Sequence, residues 1–475
     1  MIKTNDVAMK RVFEIFSELS EIPRGSGDMD KISKYCEDFA KKNSLRYIRD
    51  KANNVVIFKN GSKGYEKAEP VILQGHLDMV CQSEREIDFS NEGLQIYTEG
   101  DFLKARGTTL GADNGIAVSY ILSILESDEI CHPPIEAVFT TDEEIGMVGA
   151  KALDMSVLTA KKMINLDSEE EDTLTVSCAG GSEFALKIPL KTEIKKGTEV
   201  ELVLKDLKGG HSGVEIDKGR VNADILAGRV LSSLENFDII SINGGDKSNA
   251  IPNKCVIRLC VSDVESFRAQ AEECLKVIKN EISAREKDFS YEINVLNSGE
   301  FSVLEQNLRN SLIYFLVSAP NGVLEMSAEI EGLVETSLNL GILETKKTEI
   351  YIDFSLRSNK VSAMKYLEDR LKIFSKCIDG SYECFGHYPP WEFKENSSLQ
   401  ALFKECFKTV MGYDAKVEAI HAGLECGVFA SAIEGIDCIA FGPSLYDVHT
   451  VKEKMSISSA ERVYKLLLEI LAKSR

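Results

Sequence analysis

The 475-residue chain lacks a CxxC pair among its 12 cysteines, which leaves out zinc ribbons and thioredoxin-type motifs. It has no apolar run near the roughly 20 residues that cross a bilayer, so no membrane partner is expected. It is short of positive charge. Lys and Arg number 56 against 76 Asp and Glu, giving a net charge of −20 and a pI near 5.0. That balance argues against a nucleic-acid backbone as partner. The opening MIKTNDVAMKRVF lacks the apolar core of a secretory signal. Scattered thiols in a chain of this size suit a reducing compartment, so a cytoplasmic location is expected. Hydrophobic residues make up 44%, enough for two or three globular domains.

Apolar spacing then divides the chain. Residues 6–21 carry Val7, Phe13, Phe16 and Leu19 at helical spacing, ended by Pro23 and Gly25, and a second helix opens at Asp28 and runs to about 43. Residues 55–58, 71–75, 135–141 and 163–166 read as strands, with helical patterning from Gly115 to Leu125. Strands alternating with helices predict an α/β domain with a mostly parallel sheet flanked by helices. After Cys178 the pattern changes to strict alternation, at Phe184, Leu186, Ile188 and Leu190 and again at Val200, Leu202 and Leu204. Such alternation marks a sheet with one wet face. After Pro389-Pro390-Trp391 the α/β pattern returns, with a helix over 399–411, a strand over 438–441 and a closing helix over 458–471. The expected architecture is a catalytic domain from residues 1–180 and 388–475, with an inserted α+β lid domain of antiparallel sheet at 181–387. Strand–turn–helix patterns at 256–261 and 350–356, with helices from Val264 and Val361, are read either as chance or as two similar halves.

The stretch Gln74-Gly75-His76-Leu77-Asp78-Met79-Val80 ends the strand at 71–75. In extended chain His76 and Asp78 share a face, so the aspartate can hold one imidazole nitrogen while the other binds a metal. Alone, this pair reads better as a strand-end histidine beside a solvated carboxylate. Four further candidates follow: Asp113 between Gly111 and Gly115, Glu144 after the strand at 135–141, Asp167 at the end of the strand at 163–166, and His449 in a loop before the last helix. Two imidazoles and three carboxylates suit zinc, cobalt or manganese, and with one bridging carboxylate they suit two ions. Glu143, beside the proposed ligand Glu144, is left free to move a proton.

The stretches QGHLDMV (74–80), LGADNG (110–115), TTDEEIGMVGA (140–150), INLDSEE (164–170), GGHSG (209–213), SNAIPN (248–253), HAGLECG (421–427) and DVHT (447–450) occur in this order over nearly the whole chain. Together they resemble the M20 metallopeptidases, in their aminoacyl-histidine dipeptidase branch. The resemblance implies that His76, Asp113 and Asp167 hold one ion and Asp113, Glu144 and His449 the other, with Asp78 orienting His76 and Glu143 as general acid/base. It implies a cis peptide after Asp113, a carbonyl-polarising role for His211, and substrate binding by Asn249, Arg357 and Gly423. His421, His132 and His387 are read as structural or loop histidines. The implied function is metal-dependent hydrolysis of dipeptides, Xaa-His types among them, with two divalent ions, zinc first and cobalt or manganese as alternatives. Deacylation of N-acyl amino acids and tripeptide cleavage stay open. A non-catalytic metal or peptide binder is disfavoured, because binding alone needs neither Glu143 nor His211. A homodimer is left open.

Overall fold

The computed structural model describes residues 7–475. The start of the first expected helix, residue 6, and the first five residues of the chain lie outside the described residues; the helix itself runs Val7–Ser20. The chain forms two compact units. One comprises the residues to Cys178 with Trp391–Ala419 and Leu424–Arg475; the other comprises Ala179–Pro390 with Ile420–Gly423. The segment Ile420–Gly423 differs from the expected division, which placed it with the catalytic domain. It joins the second unit because His421 is buried there and its Nε2 lies 2.7 Å from Ser337 Oγ.

The first unit is built on an eight-stranded sheet. Its four central strands, Ile135–Thr140, Val71–His76, Lys162–Asn165 and Asp437–Ala440, are parallel neighbours in that order. Strands Arg46–Arg49 and Val55–Lys59 extend it antiparallel on one side, and Thr173–Cys178 pairs antiparallel on the other. The expected mostly parallel core with flanking helices is therefore present. The central strands are rich in apolar residues because both faces are covered: every residue of Val71–His76 and of Ile135–Thr140 is buried. Helix Ala112–Glu126 is buried along nearly its whole length, so its sequence is apolar all round. A small sheet orders Leu445–Tyr446, Lys454–Ser456, Phe102–Ala105 and Ile96–Glu99, and holds the loop that carries His449.

The second unit contains a nine-stranded antiparallel sheet with helices packed on it, and a two-stranded antiparallel pair of Gly210–His211 with Ala250–Ile251. Apart from Gly322–Met326, which pairs with Val334–Thr345, the strands of the larger sheet fall into two sets with the same order of elements. One set runs Thr192–Lys205, helix Ala223–Leu231, Phe237–Gly244, Cys255–Val261, helix Val264–Ile282, Ser290–Leu304. The other runs Gly180–Pro189, helix Gln306–Ser318, Val334–Thr345, Glu349–Ser358, helix Val361–Cys377, Ser381–Tyr388. Each is β-α-β-β-α-β, the first set being inserted after the first strand of the second. Their third elements meet in the middle of the sheet, where Asn243 and Gly244 pair with Glu344 and Leu343. The two strand–turn–helix patterns of the sequence fall on corresponding elements of these sets. Inward residues line up across the strands, Phe354 opposite Phe184, Ile352 opposite Leu186 and Ile350 opposite Ile188, which fixes the register because a one-residue slip would turn them to water.

Asp224, in the first turn of helix Ala223–Leu231, is fully buried in this unit. Its Oδ1 would stand 1.7 Å from a Cβ placed on Gly244, so only glycine fits there. Burial pushes the Asp224 carboxyl up to about 8. An unfolded aspartate ionises near pH 3.9, so below about pH 4 both states hold the proton. As pH rises toward about 8 only the unfolded chain loses it, and stability falls over that window. Asp224→Asn should melt near wild type at pH 4 and above it at pH 8. Parallel melting curves for the two proteins across that range would contradict this.

Candidate metal centre

The parallel strands deliver their C-terminal ends to one place in the first unit. His76 is the last residue of Val71–His76, Glu143 and Glu144 follow Ile135–Thr140, and Asp167 follows Lys162–Asn165. Asp113 enters at the start of helix Ala112–Glu126, and its peptide bond to Asn114 is cis. His76 Nε2 lies 3.0 Å from Asp113 Oδ1 and 3.6 Å from Asp167 Oδ1. His449 Nε2 lies 3.1 Å from Asp113 Oδ2 and 3.0 Å from Glu144 Oε1. Three groups of donors result, His76–Asp113–Asp167, Asp113–Glu144–His449 and His76–Glu143–Glu144, each with its ligand atoms within 4.8 Å of one another. Atoms bound to one zinc-like ion at about 2.0–2.2 Å stand about 3.0–3.6 Å apart. The donor set fits two divalent ions on this spacing, with the two oxygens of Asp113 directed to different groups. All five sequence-derived metal candidates are thus brought together.

The electrostatics follow from crowding. Burial raises the pKa of Glu143, Glu144 and Asp167, and neighbouring carboxylates add to the effect. Burial works against charge on His76, yet Asp167, Asp113 and Asp78 hold its pKa well above the ordinary value. Hydrogen bonds to Asp113 and Glu144 push His449 up to about 11. Positive charge is therefore favoured at both imidazoles, as expected of a place shaped for cations.

Asp78 lies under this cluster and does two things. Its Oδ1 is 3.4 Å from His76 Nδ1 and accepts the Glu143 N–H at 3.0 Å, while its Oδ2 accepts the Glu144 N–H at 3.2 Å and the Ser26 hydroxyl at 2.9 Å. Burial alone would raise its pKa; these bonds outweigh it and bring it to about 2. The carboxylate thus fixes the backbone of Glu143 and Glu144 and lies beside the ring of His76, whose Nδ1 is 3.2 Å from the Asp78 carbonyl.

Three positioning residues escaped the sequence reading. Arg24, between the helix-ending Pro23 and Gly25, is buried and donates to the carbonyls of Leu77 at 3.0 Å and Asp78 at 3.2 Å, and to that of Gly111. Glu453 accepts the N–H groups of Leu110 at 2.8 Å, Gly111 at 3.1 Å and Ala112 at 2.8 Å. Asn114 accepts the His76 N–H at 3.2 Å and donates to the Leu166 carbonyl at 2.8 Å. Gly111 has φ +66°, and a Cβ there would stand 2.5 Å from Arg24 Nη2. The glycines around Asp113 were the one signal of this packing.

The second unit holds a separate polar cluster. His211 Nδ1 accepts the N–H groups of Gly213 at 3.1 Å and Val214 at 3.3 Å. Burial and the charge of Arg357 lower its pKa. The neutral ring therefore carries its proton on Nε2 and presents a donor. A Cβ on Gly213 would stand 2.9 Å from His211 Cε1, 3.0 Å from the His421 carbonyl and 3.1 Å from Arg357 Cζ, so these three residues crowd around one glycine. Arg357 Nη1 donates to Tyr388 Oη at 3.0 Å, while its Nε is buried without a partner. Asn249 is exposed, and its carbonyl accepts the Ser212 N–H at 2.9 Å. Gly423 lies in the segment Ile420–Gly423 of the same unit. His421 is held by Ser337, and its pKa falls to about 3 through burial and Arg357. His132 bonds the Pro133 carbonyl at 2.7 Å and His387 pairs with Glu368 at 2.9 Å.

Strand ends that gather two imidazoles and three carboxylates, with the Glu143 carboxyl beside them, define a chain built around a two-cation centre of hydrolytic type. The comparison with known families gives the particular one. A model of peptidase family M20/M25/M40 matches residues 72–473, and the chain belongs to that family. Membership implies a dinuclear metal site. The chain is 34% identical over 480 residues to the cytosol non-specific dipeptidase of Escherichia coli (strain K12), covering 99% of each. It superposes on the crystal structure of aminoacylhistidine dipeptidase from Vibrio alginolyticus with a TM-score of 0.91 and 32% identity, covering 97% of this chain and 96% of that one. An aminopeptidase of Bacillus cereus shares the fold at a TM-score of 0.56 and 16% identity, covering 98% of each chain.

Glu453→Ala would leave three backbone N–H groups of the Asp113 loop without their acceptor, at about 1–3 kcal/mol for each buried group. Its melting temperature should drop by several degrees and its divalent-ion affinity should weaken. A variant with unchanged melting and metal binding would show that the loop is held by other means.

Proposed function

We propose that this chain is a metallo-dipeptidase of the M20 family that hydrolyses dipeptides, Xaa-His types such as β-Ala-His among them, in the cytoplasm. The observation that carries the reading is the Asp113 carboxylate shared between the His76 and His449 groups, with Glu143 buried beside them. The names of its relatives, a cytosol dipeptidase and an aminoacylhistidine dipeptidase, support the substrate class and location. Among the described residues no helix is long and apolar enough to cross a membrane.

His76, Asp113 and Asp167 would hold one ion, and Asp113, Glu144 and His449 the other; zinc is proposed, with cobalt or manganese as alternatives. Two such ions, when bound, polarise a carbonyl and lower the pKa of a water. Glu143 would take the proton of that water and give it to the leaving nitrogen. Asp78 fixes the Glu143 backbone through its N–H, so the base is held in place. From the second unit, His211 would donate its Nε2–H to the carbonyl oxygen, and Arg357, Asn249 and Gly423 would bind the substrate, Arg357 through the terminal carboxylate. All five donors come from one unit of one chain, so the proposed ion set needs no residue from a second copy; a homodimer remains compatible with it.

The assay is amino-acid release from β-Ala-His, Gly-His, N-acetyl-histidine and a tripeptide, with zinc, cobalt or manganese added. Dipeptide cleavage well above the other two classes is expected. Preference for the acylated amino acid or the tripeptide would replace the dipeptidase reading. Glu143→Ala should lower kcat about 10²–10⁴-fold while keeping the metal content of the wild type. Loss of an ion in that variant would mean that Glu143 is itself a ligand. Arg357→Ala should raise KM for dipeptides about 10- to 150-fold, the effect of about 1.5–3 kcal/mol for a charge-assisted bond, and should change little for a dipeptide amide. Equal losses on both substrates would remove its carboxylate role.

A further inference from the structure

Beneath the metal donors lies a second polar layer that the proposed mechanism does not use. Gln74 and Asn165 sit two residues before His76 and Asp167, so in extended strands they share the donors' face. Thr140 ends the strand before Glu143 and Glu144. Glu425, from the HAGLECG stretch, is the first residue of helix Glu425–Ala432 and reaches this layer. All four side chains are fully buried. Thr140 Oγ1 donates to Glu425 Oε2 at 2.7 Å, and Gln74 Nε2 donates to the same oxygen. Asn165 Nδ2 donates to Gln74 Oε1 at 2.6 Å. One carboxylate oxygen thus joins the strands that lead to His76 and to Glu143 with Glu144, and Gln74 extends the chain of bonds to the strand that leads to Asp167. The other oxygen, Oε1, is buried without a partner. A buried carboxylate oxygen with no donor is costly, and a nearby cation relieves that cost.

We infer that Glu425 is a positioning residue of the metal centre: it locks the strand ends from below, and its buried negative charge is part of what lets the donors above hold divalent cations. The inference rests on the two-ion reading of the site. Burial holds the Glu425 carboxyl up at about 7 even against the His76 charge and the Thr140 bond, which lower it; a cation above would favour its charged form further. A purely structural role would need only the two accepted hydrogen bonds, which an amide oxygen can also accept.

Glu425→Gln separates these roles. Metal-free wild type and variant are titrated with zinc and with manganese against a chromophoric chelator, and the melting temperature of each metal-free protein is measured. Glu425→Gln should melt within about 2 °C of wild type when metal-free and bind at least one ion about tenfold or more weakly. At saturating metal its KM for Gly-His should stay within about threefold of wild type. Metal affinity within about twofold of wild type would overturn the charge role. Should Glu425→Gln not fold, Thr140→Val carries the test, because it loosens Glu425 and leaves every donor in place. An affinity loss of about threefold or more is expected, and unchanged affinity overturns the inference. Wild type that binds no divalent ion would overturn the two-ion reading together with this one. Two ions on wild type with no change in either variant would overturn only the role of Glu425.

Discussion

The Asp113 carboxylate faces His76 with one oxygen and His449 with the other, at 3.0 and 3.1 Å. Around it stand Glu143, Glu144 and Asp167, three more carboxyl groups whose pKa values burial and mutual repulsion raise. Like charges this close cost several kcal/mol in a partly buried setting, so a chain gathers them only if its backbone is held against their repulsion and something positive offsets them. The surrounding structure answers the first need. The strand ends are fixed by a parallel sheet, the backbone of Glu143 and Glu144 by Asp78, the Asp113 loop by Arg24 and Glu453, and the first strand end by Asn114. The two imidazoles, held positive by their neighbours, mark where the second need is met.

Much of this was legible in the chain itself because the central strands are covered on both faces. Stretches rich in apolar residues at 71–75, 135–141 and 163–166 are followed by a histidine, a glutamate pair and an aspartate, and the structure ends its strands there within a residue or two. The second unit was legible for the opposite reason: one wet face gives alternation, as at Phe184, Leu186 and Ile188. Arg24, Glu453 and Glu425 were not legible. Each works through backbone amides or carbonyls, or through side chains far away in sequence, and such contacts leave no periodic trace. Glu453 lies 341 residues from Ala112 and Glu425 lies 351 from Gln74. The segment Ile420–Gly423 was placed in the other domain because composition does not change there; only the burial of His421 beside Ser337 reveals its unit.

The β-α-β-β-α-β order occurs twice in the second unit, and the two sets form one continuous antiparallel sheet. Joining them at Phe237–Gly244 and Val334–Thr345 turns what would be two sheet edges into an interior pairing, which removes two exposed ladders. Its polar cluster follows the same logic as the metal centre. A glycine, Gly213, allows His211, Arg357 and the His421 backbone to crowd together, and burial keeps both histidines neutral.

The central claim is that one chain holds two cations that share Asp113. A crystal of the zinc-loaded protein, with anomalous scattering recorded on both sides of the zinc edge, tests it directly. Two zinc peaks per chain are expected, one contacted by His76, Asp113 and Asp167 and the other by Asp113, Glu144 and His449. A single peak, or a pair in which Asp113 contacts only one ion, would contradict it.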